Sequence, residues 1–249
     1  MAEPAAFVSG AARGIGLAIA RELAERGHPV ALGDLRPAAA RREAARLQRE
    51  GREAVAVPLD VQDPRSVRQA VRAAEAALGP LGVLVSNAGW DRLVPFVQTT
   101  ERLWQRLIDL NFTGALRLTK EVLPGMVDRR FGRIVFISSD AARVGSSLES
   151  VYAGAKAGLV GFAKTIAREH AKDGITVNVV CPGPTRTPLL EGMQREGGER
   201  LVAALERAIP LGRLADPEEV AYAVSFFVSP RAAYITGQTL SVSGGLTMA

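Results

Sequence analysis

Three side chains in the second half of the chain have the types and spacing needed for proton transfer at an alcohol or ketone oxygen. Tyr152 and Lys156 are four residues apart, so in a helix they lie on one face, a turn apart. A neighbouring ammonium stabilises a phenolate and lowers the pKa of a tyrosine, which is ~10 in a free side chain. Ser139 follows an apolar run and could hold the substrate oxygen. A solvated lysine beside a half-buried ring is the alternative, so the surrounding motifs must decide.

A glycine-rich segment, Gly10, Gly14 and Gly16, follows the first apolar run of the chain. Glycines let the backbone turn sharply and approach a pyrophosphate, whose charge the amino end of the next helix then receives. Because the segment lies between a predicted strand and an amphipathic helix, it predicts a dinucleotide-binding loop that includes Arg13 and Ile15. A plain strand-to-helix turn is the alternative.

The end of the second predicted strand carries an acid, Asp34, followed by Leu35. An acid at this place can accept hydrogen bonds from the adenosine ribose diol and would repel a 2′-phosphate. We therefore expect Asp34 and Leu35 to contact the cofactor and NAD to be preferred. Arg13 and Arg36 keep NADP as the less favoured alternative, and an aspartate here could also be a helix cap.

Apolar and amphipathic stretches alternate along the chain, which predicts a parallel sheet covered by helices on both faces. The predicted strands are Ala5–Ser9, Pro29–Asp34, Ala54–Leu59, Val83–Ser86, Arg133–Ser138, Thr176–Cys181 and Thr239–Val242. The predicted helices are Gly14–Arg26, Pro37–Glu50, Pro64–Leu78, Glu101–Arg129, Val151–Lys172, Glu199–Ala208 and Pro217–Val228. We expect one α/β domain over residues 1–249, a Rossmann-type doubly wound sheet of about seven strands. Residues 188–212 interrupt the alternation and are interpreted as a substrate lid, with an ordinary surface connection as the alternative.

Composition narrows the classes of protein and site. Hydrophobic residues are 47% and charged residues 23% of the 249 residues, as in a soluble globular enzyme. The single cysteine, Cys181, excludes an internal disulfide and suits a cytoplasmic location, and with two histidines in the chain we expect no metal site. The net charge of +5 is spread over helices with interleaved acids, so nucleic acid is not the expected partner. No apolar run or leader pattern predicts a membrane segment.

Together these residues resemble the short-chain dehydrogenase/reductase family over nearly the whole chain. The resemblance implies that Gly10, Gly14 and Gly16 form the cofactor loop, and that further segments bind the cofactor. These are Asp60 with its neighbour Val61 at the adenine, Asn87-Ala88-Gly89 under the adenosine half, and Pro182-Gly183 with Thr185 and Thr187 at the nicotinamide carboxamide. The chain departs from the commonest family pattern at Ser9, where threonine is usual.

The resemblance also implies a catalytic tetrad of Asn111, Ser139, Tyr152 and Lys156. Tyr152 would be the acid/base, Ser139 would orient the reacting oxygen, and Lys156 would lower the tyrosine pKa and hold the nicotinamide ribose. Asn111 would position a water that links the lysine to solvent. Members of the family are usually homotetramers that pair through the helices at Glu101–Arg129 and Val151–Lys172, and we expect the same here.

Three segments, 87–91, 139–147 and 241–248, are similar to the 2-hydroxycyclohexanecarboxyl-CoA dehydrogenases of that family. This resemblance implies a small-molecule substrate, a β-hydroxyacyl or β-oxoacyl thioester, and interconversion of a secondary alcohol and a ketone. We expect Trp90 and Arg143 to contact it, together with Ser139 and Tyr152; a core role for Trp90 and a surface salt bridge for Arg143 are the alternatives.

Other functions stay open to different degrees. A 3-oxoacyl-acyl-carrier-protein reductase and another short-chain alcohol dehydrogenase share the same chemistry. A non-catalytic dinucleotide-binding regulator is the alternative outside enzymes, although Tyr152 and Lys156 are both present. A serine hydrolase is disfavoured because the Gly-x-Ser-x-Gly motif is missing and neither histidine lies in a motif suited to the base.

Overall fold

The computed structural model describes residues 3–193 and 199–248. The strands are Ala5–Ser9 (β1), Val30–Asp34 (β2), Ala54–Pro58 (β3), Leu81–Ser86 (β4), Gly132–Ile137 (β5), Ile175–Pro182 (β6) and Thr239–Val242 (β7). The helices are Gly14–Glu25 (α1), Pro37–Arg49 (α2), Pro64–Leu78 (α3), Glu101–Ile108 (α4), Gly114–Asp128 (α5), Ala141–Val144 (α6), Ser150–His170 (α7), Pro188–Met193 (α8), Glu199–Ala208 (α9) and Pro217–Val228 (α10). The elements alternate as the sequence predicts.

The seven strands form one sheet in the order β3-β2-β1-β4-β5-β6-β7, and every neighbouring pair is parallel. Successive strands run outward in one direction from β1 to β3 and in the other from β4 to β7. The strand order therefore reverses between β1 and β4, where a crevice opens at the carboxyl edge of the sheet. The predicted Rossmann-type fold is confirmed.

Two apolar layers cover the sheet, one on each face. Alternate residues of β1 divide between them, with Phe7 in one layer and Ala6 and Val8 in the other. Helices α3, α5 and α7 supply the first layer, and α1, α2 and α10 supply the second. All five residues of β1 are buried, as expected for a parallel strand that is covered on both faces.

Most predicted elements match the structure to within one or two residues at each end, α6 and α8 are not predicted, and two of the differences have a clear structural reason. β4 begins at Leu81 rather than Val83, since Leu81 pairs with Ala5 and the register then shifts before Ala6 pairs with Val83. The long helix predicted over Glu101–Arg129 is divided by a π-helical turn, Asp109–Thr113. That turn brings Asn111 to the edge of the crevice, and hydrophobic periodicity gives no sign of it.

Within residues 3–193 and 199–248, no helix combines the length and apolarity that crossing a bilayer requires. The same part of the chain places no group of three or more His, Cys, Asp or Glu side chains where they could ligate a metal ion.

Candidate active site

A cleft of about 540 Å³ opens at the carboxyl edge of the sheet, where the strand order reverses. It is lined by most of the residues that the sequence singles out. These are Gly10, Arg13, Gly14, Ile15, Gly16, Asp34, Asn87, Ala88, Gly89, Trp90, Ser139, Tyr152, Lys156, Pro182, Gly183, Thr185 and Thr187. The topology thus brings together motifs that lie far apart in the chain.

The glycine loop is locked against the segment after β4. The Ser9 hydroxyl accepts hydrogen bonds from the backbone N–H groups of Asn87 and Ala88, each at 3.0 Å, so it joins the end of β1 to the segment after β4. The Asn87 amide donates to the carbonyls of Ser9 and Gly10 at 2.9 and 3.2 Å. A Cβ at Gly16 would overlap the Gly10 carbonyl and the Asn87 amide, so only glycine fits there. This close packing leaves the amino end of α1 facing the cleft, where a pyrophosphate can bind.

Charged groups gather beside the end of β2. The buried Asp34 carboxylate accepts hydrogen bonds from the backbone N–H groups of Ala12 and Arg36, both at 2.9 Å, and the Arg36 guanidinium lies 3.6 Å away. Burial lowers the pKa of Arg13, the nearby Arg36 lowers it further, and Asp34 opposes both. This end of the cleft therefore offers one fixed carboxylate and two guanidinium groups to a ligand.

Tyr152 and Lys156 lie on α7 as the four-residue spacing predicts. The Lys156 ammonium donates to the Ile137 carbonyl at 2.8 Å and lies 5.8 Å from the centre of the Tyr152 ring. The Ser138 hydroxyl donates to the Lys156 carbonyl at 2.8 Å, which ties α7 to the end of β5. The Ser139 hydroxyl interacts with that of Tyr152. The trio therefore meets at one point of the cleft.

The ionisation of Tyr152 differs from the sequence-based expectation. Burial raises the pKa of Tyr152 well above its ordinary value, and the nearby Glu149 raises it further, while the hydrogen bond with Ser139 opposes them. Burial also lowers the pKa of Lys156 to about 8, against the opposing effects of Cys181 and Asp91. The expected lowering of the tyrosine pKa is thus outweighed by burial and by acidic neighbours. The phenol is protonated and can donate.

Asn111 lies beside the cleft rather than in its lining. Its amide nitrogen donates to the carbonyls of Trp90 and Leu107 at 2.8 and 3.0 Å, and its amide oxygen accepts from the Trp90 N–H at 3.2 Å. A Cβ at Gly89 would lie 2.8 Å from the Asn111 amide oxygen and 3.2 Å from the Lys156 ammonium. Asn111 thus fixes the backbone that passes close to Lys156.

Three predicted cofactor contacts, Leu35, Asp60 and Val61, also lie outside the cleft lining, and each has other surroundings. Leu35 is 67% exposed. The Asp60 carboxylate accepts the Gln62 backbone N–H at 2.9 Å, and Val61 is buried against Gly114.

Arg143 is turned toward β7. Its guanidinium donates to the Ser241 hydroxyl at 3.0 Å, and that hydroxyl donates to the Asp140 carboxylate at 2.6 Å. The structure therefore gives Arg143 a partner in the C-terminal strand, and its contact with a substrate stays a prediction.

Several lining residues escape the sequence motifs. Glu149 and Leu93 line the cleft, and neither lies in a recognisable spacing pattern. Leu246 and Thr247 also line it, and the sequence indicates these two only through the resemblance of their segment. The predicted lid contributes Pro188, Leu190, Val202 and Leu205 from α8 and α9, while its residues 194–198 lie outside the described part of the chain. A contact between the lid and the cleft agrees with the lid interpretation, whereas motion of the lid stays a prediction.

Comparisons with known proteins agree with this geometry. A family model described as Enoyl-(Acyl carrier protein) reductase matches residues 10–247. The 3-oxoacyl-acyl-carrier-protein reductase FabG of Vibrio cholerae is 40% identical over 243 residues, covering 98% of this chain and 97% of that protein. Oxidoreductase UcpA of Escherichia coli is 39% identical over 248 residues, covering 98% of this chain and 94% of that protein. The crystal structure of a single-substitution variant of actinorhodin polyketide ketoreductase with NADPH superposes with a TM-score of 0.94 at 35% identity, covering 98% of this chain and 97% of that one.

Proposed function

This chain belongs to the short-chain dehydrogenase/reductase family, and on that premise we propose that it reduces the β-carbonyl of an acyl thioester to a hydroxyl. It is an NAD(P)-dependent oxidoreductase that acts on CH–OH donors. The observation that supports the proposed reaction is the meeting of Ser139, a protonated Tyr152 and Lys156 in the same cleft as the glycine loop. The reverse reaction, oxidation of a β-hydroxyacyl thioester, uses the same residues.

The chain's own residues manage the oxygen and its proton. We propose that the Ser139 hydroxyl donates to the substrate carbonyl oxygen and that Tyr152 delivers its proton to that oxygen as the hydroxyl forms. Lys156 stabilises the resulting phenolate, and Asn111 holds the neighbouring backbone. When bound, the dinucleotide supplies the hydride. The loop that contains Gly10, Gly14 and Gly16 suits the pyrophosphate of a dinucleotide. The absence of a side chain at Gly16 allows the tight turn, and the turn leaves the amino end of α1 accessible from the cleft.

We further propose that NAD is preferred over NADP. The Asp34 carboxylate lines the cleft and is fixed by two backbone N–H groups, one on each oxygen, and a carboxylate held in this way can still accept further hydrogen bonds. A ribose diol can donate to this carboxylate, whereas a 2′-phosphate would meet its charge. Arg13 and Arg36 support NADP as the second candidate, and the ketoreductase of similar structure was crystallised with NADPH.

An apolar wall supports an acyl chain or ring as the substrate. Aliphatic residues line the cleft together with Tyr152, among them Leu93, Val144, Leu190, Val202 and Leu205. Such a wall favours hydrocarbon over sugar or phosphate groups. The sequence resemblance to 2-hydroxycyclohexanecarboxyl-CoA dehydrogenases favours a cyclic acyl group. The similarity to FabG favours a linear group on a carrier protein. A cytoplasmic location stays a prediction.

The test is consumption of NADH or NADPH by the purified protein with acetoacetyl-CoA, acetoacetyl-carrier protein and 2-oxocyclohexanecarboxyl-CoA as substrates. We expect turnover on at least one thioester, faster with NADH. Tyr152→Phe should reduce kcat by about 10²–10⁴-fold, because the proton donor is lost, while binding of the dinucleotide is retained.

Two results would contradict the proposal. Full turnover by Tyr152→Phe would remove the proton-donor role. Dinucleotide binding by the wild type without turnover of any of the three thioesters would favour the non-catalytic regulator.

A further inference from the structure

Asp91, which follows Trp90 at the rim of the active site, is a buried carboxylate without an adequate partner. The residue is only 5% exposed, and in the described part of the chain no donor meets either carboxylate oxygen in good hydrogen-bond geometry, although the Arg92 N–H is near enough to oppose the rise of its pKa. Burial of an unpaired carboxylate is strongly unfavourable. The group must therefore bind a proton or share one.

Glu149 is the neighbour that can share it. A small cavity of about 10 Å³, close to the volume of one water probe, is lined by Asp91, Glu149 and Tyr152. Two ionised carboxylates offer each other no donor, but a single bound proton creates a hydrogen bond between them and removes one of the two like charges.

The backbone before Glu149 supports a functional position for this side chain. Leu148 has φ of 71°, an unfavourable conformation for a bulky residue, and its carbonyl accepts the Val94 N–H at 3.0 Å. Strain of this kind is retained where the surrounding structure requires it, often at functional sites. The strained residue leads directly into Glu149, which precedes α7 and lies three residues before Tyr152.

We propose that Asp91 and Glu149 share one proton beside Tyr152 and act as positioning residues that keep the Tyr152 phenol protonated for donation to the substrate. The role of Tyr152 as donor is that of the proposed function, on which this inference rests. The proton-sharing pair is a property of the protein alone and can be tested without substrate.

The charges around the pair define its dependence on pH. Burial raises the pKa of Asp91 to about 7, proton sharing with Glu149 adds to this, and the Arg92 backbone and the Lys156 ammonium oppose the rise. The facing titratable groups are Glu149, which precedes α7, Tyr152 and Lys156 on α7, and Arg92 next to Asp91. Helix α4 contributes the uncharged Leu103 and Leu107.

Two further titratable groups lie near this cluster. Cys181 of β6 raises the pKa of both Tyr152 and Lys156. Arg106 of α4 stacks on the Trp90 ring at 4.3 Å.

Below pH 7 the pair of Asp91 and Glu149 then carries one negative charge, and above pH 7 it carries two. The second charge opposes phenolate formation at Tyr152 more strongly.

The chain suits a direct spectroscopic test, because it has only three tyrosines. Ring-carbon-labelled tyrosine in the full-length protein gives three NMR signals, and Tyr152→Phe identifies the one from Tyr152. We expect the chemical shift of Tyr152 to change with an inflection near pH 7, as the neighbouring pair loses its proton. Asp91→Asn should abolish this inflection, because it removes the titrating carboxyl. Glu149→Gln should move the inflection to lower pH, because the contribution of Glu149 to the raised pKa of Asp91 is lost while the burial of Asp91 remains.

Glu53→Gln is the matched control. Glu53 is an exposed acid that precedes β3 at the opposite edge of the sheet, so this variant should keep the inflection. An inflection that is missing in the wild type, or that stays at the same pH in both Asp91→Asn and Glu149→Gln, would overturn the inference while the thioester assay still decides the proposed function. If Asp91→Asn does not fold, Glu149→Gln decides alone, because the Glu149 side chain is half-buried and tolerates the change.

Discussion

Lys156 controls how readily Tyr152 gives up its proton, because the phenolate left after donation needs a nearby positive charge. Burial lowers the pKa of Lys156 to about 8 in the free protein. Below this pH the ammonium is present, and above it the group becomes a neutral amine. We therefore expect kcat/KM for thioester reduction to fall as the pH rises through about 8, since kcat/KM reports ionisations of the free enzyme.

The variant Lys156→Arg tests whether the fall in kcat/KM comes from the loss of the positive charge at this position. A guanidinium keeps its charge across the whole range, so this variant should lack the fall near pH 8 even if its overall rate is lower. Because Asp91 and Lys156 act on each other, the observed midpoint belongs to the coupled groups. A wild-type profile that is flat between pH 6 and 10, a range of about two units on either side of that value, would show that Lys156 has no such role.

The sequence predicts the roles of site residues that lie in spaced motifs. It does not predict the roles of residues that depend on burial or on contacts with distant parts of the chain. Ser139, Tyr152 and Lys156 follow from residue type and spacing, and the structure brings them together. Glu149 lies in no motif, and its effect on Tyr152 arises from burial that one sequence does not reveal. The partner of Arg143, Ser241, is 98 residues away in the chain, so the residues around Arg143 could not predict it.

At the level of elements, the turn from β1 to α1 depends on the absence of a side chain at Gly16. A Cβ there would overlap the Gly10 carbonyl and the Asn87 amide. We expect Gly16→Ala to lower the free energy of unfolding by about 1–3 kcal/mol, as for other overpacked sites. It should also weaken dinucleotide binding by about tenfold or more, because the displaced turn no longer presents its N–H groups correctly.

Gly161→Ala is a suitable comparison for this change. Gly161 is exposed on α7, and a Cβ there meets nothing within 4 Å. Chemical denaturation and fluorescence titration with NADH would measure both effects. Equal dinucleotide affinity in the two variants would show that the close packing at Gly16 is not required for binding.

Periodicity predicts the regular elements well, because each strand is covered on both faces and each helix has one apolar side. It misses the π-helical turn Asp109–Thr113, which inserts one extra residue into a continuous helical pattern. The Asn111 amide bonds to the carbonyls of Leu107 and Trp90, and the latter contact is tertiary. A local pattern therefore gives α4 and α5 but not the break that places Asn111.

For the molecule as a whole, the strand order converts separated motifs into one site. The loops after β1 and β4 meet because these strands are neighbours, although 78 residues separate Ser9 from Asn87. The alternation of elements predicts a parallel sheet, and the rule that ligands bind where the strand order reverses then places the cleft. The part of the apolar wall that α8 and α9 supply could not be placed in this way. These helices lie in an insertion between two elements of the regular alternation, so the strand order does not determine where they pack.

If the protein forms the predicted homotetramer, part of the surface of α7 is buried between two copies of the chain. Gly161 lies on an exposed face of this helix, one of those through which related enzymes pair. In an isolated chain, Gly161→Arg would be tolerated, because a Cβ meets nothing within 4 Å, and a better helix former would add about 1 kcal/mol of stability. If two copies pack on α7, the same arginine would be forced into the contact. Sedimentation velocity should then show a smaller species for Gly161→Arg, whereas Ala77→Arg, at an exposed site on α3, should sediment like the wild type. An unchanged assembly together with a stabilised fold would show that this face of α7 is not an interface.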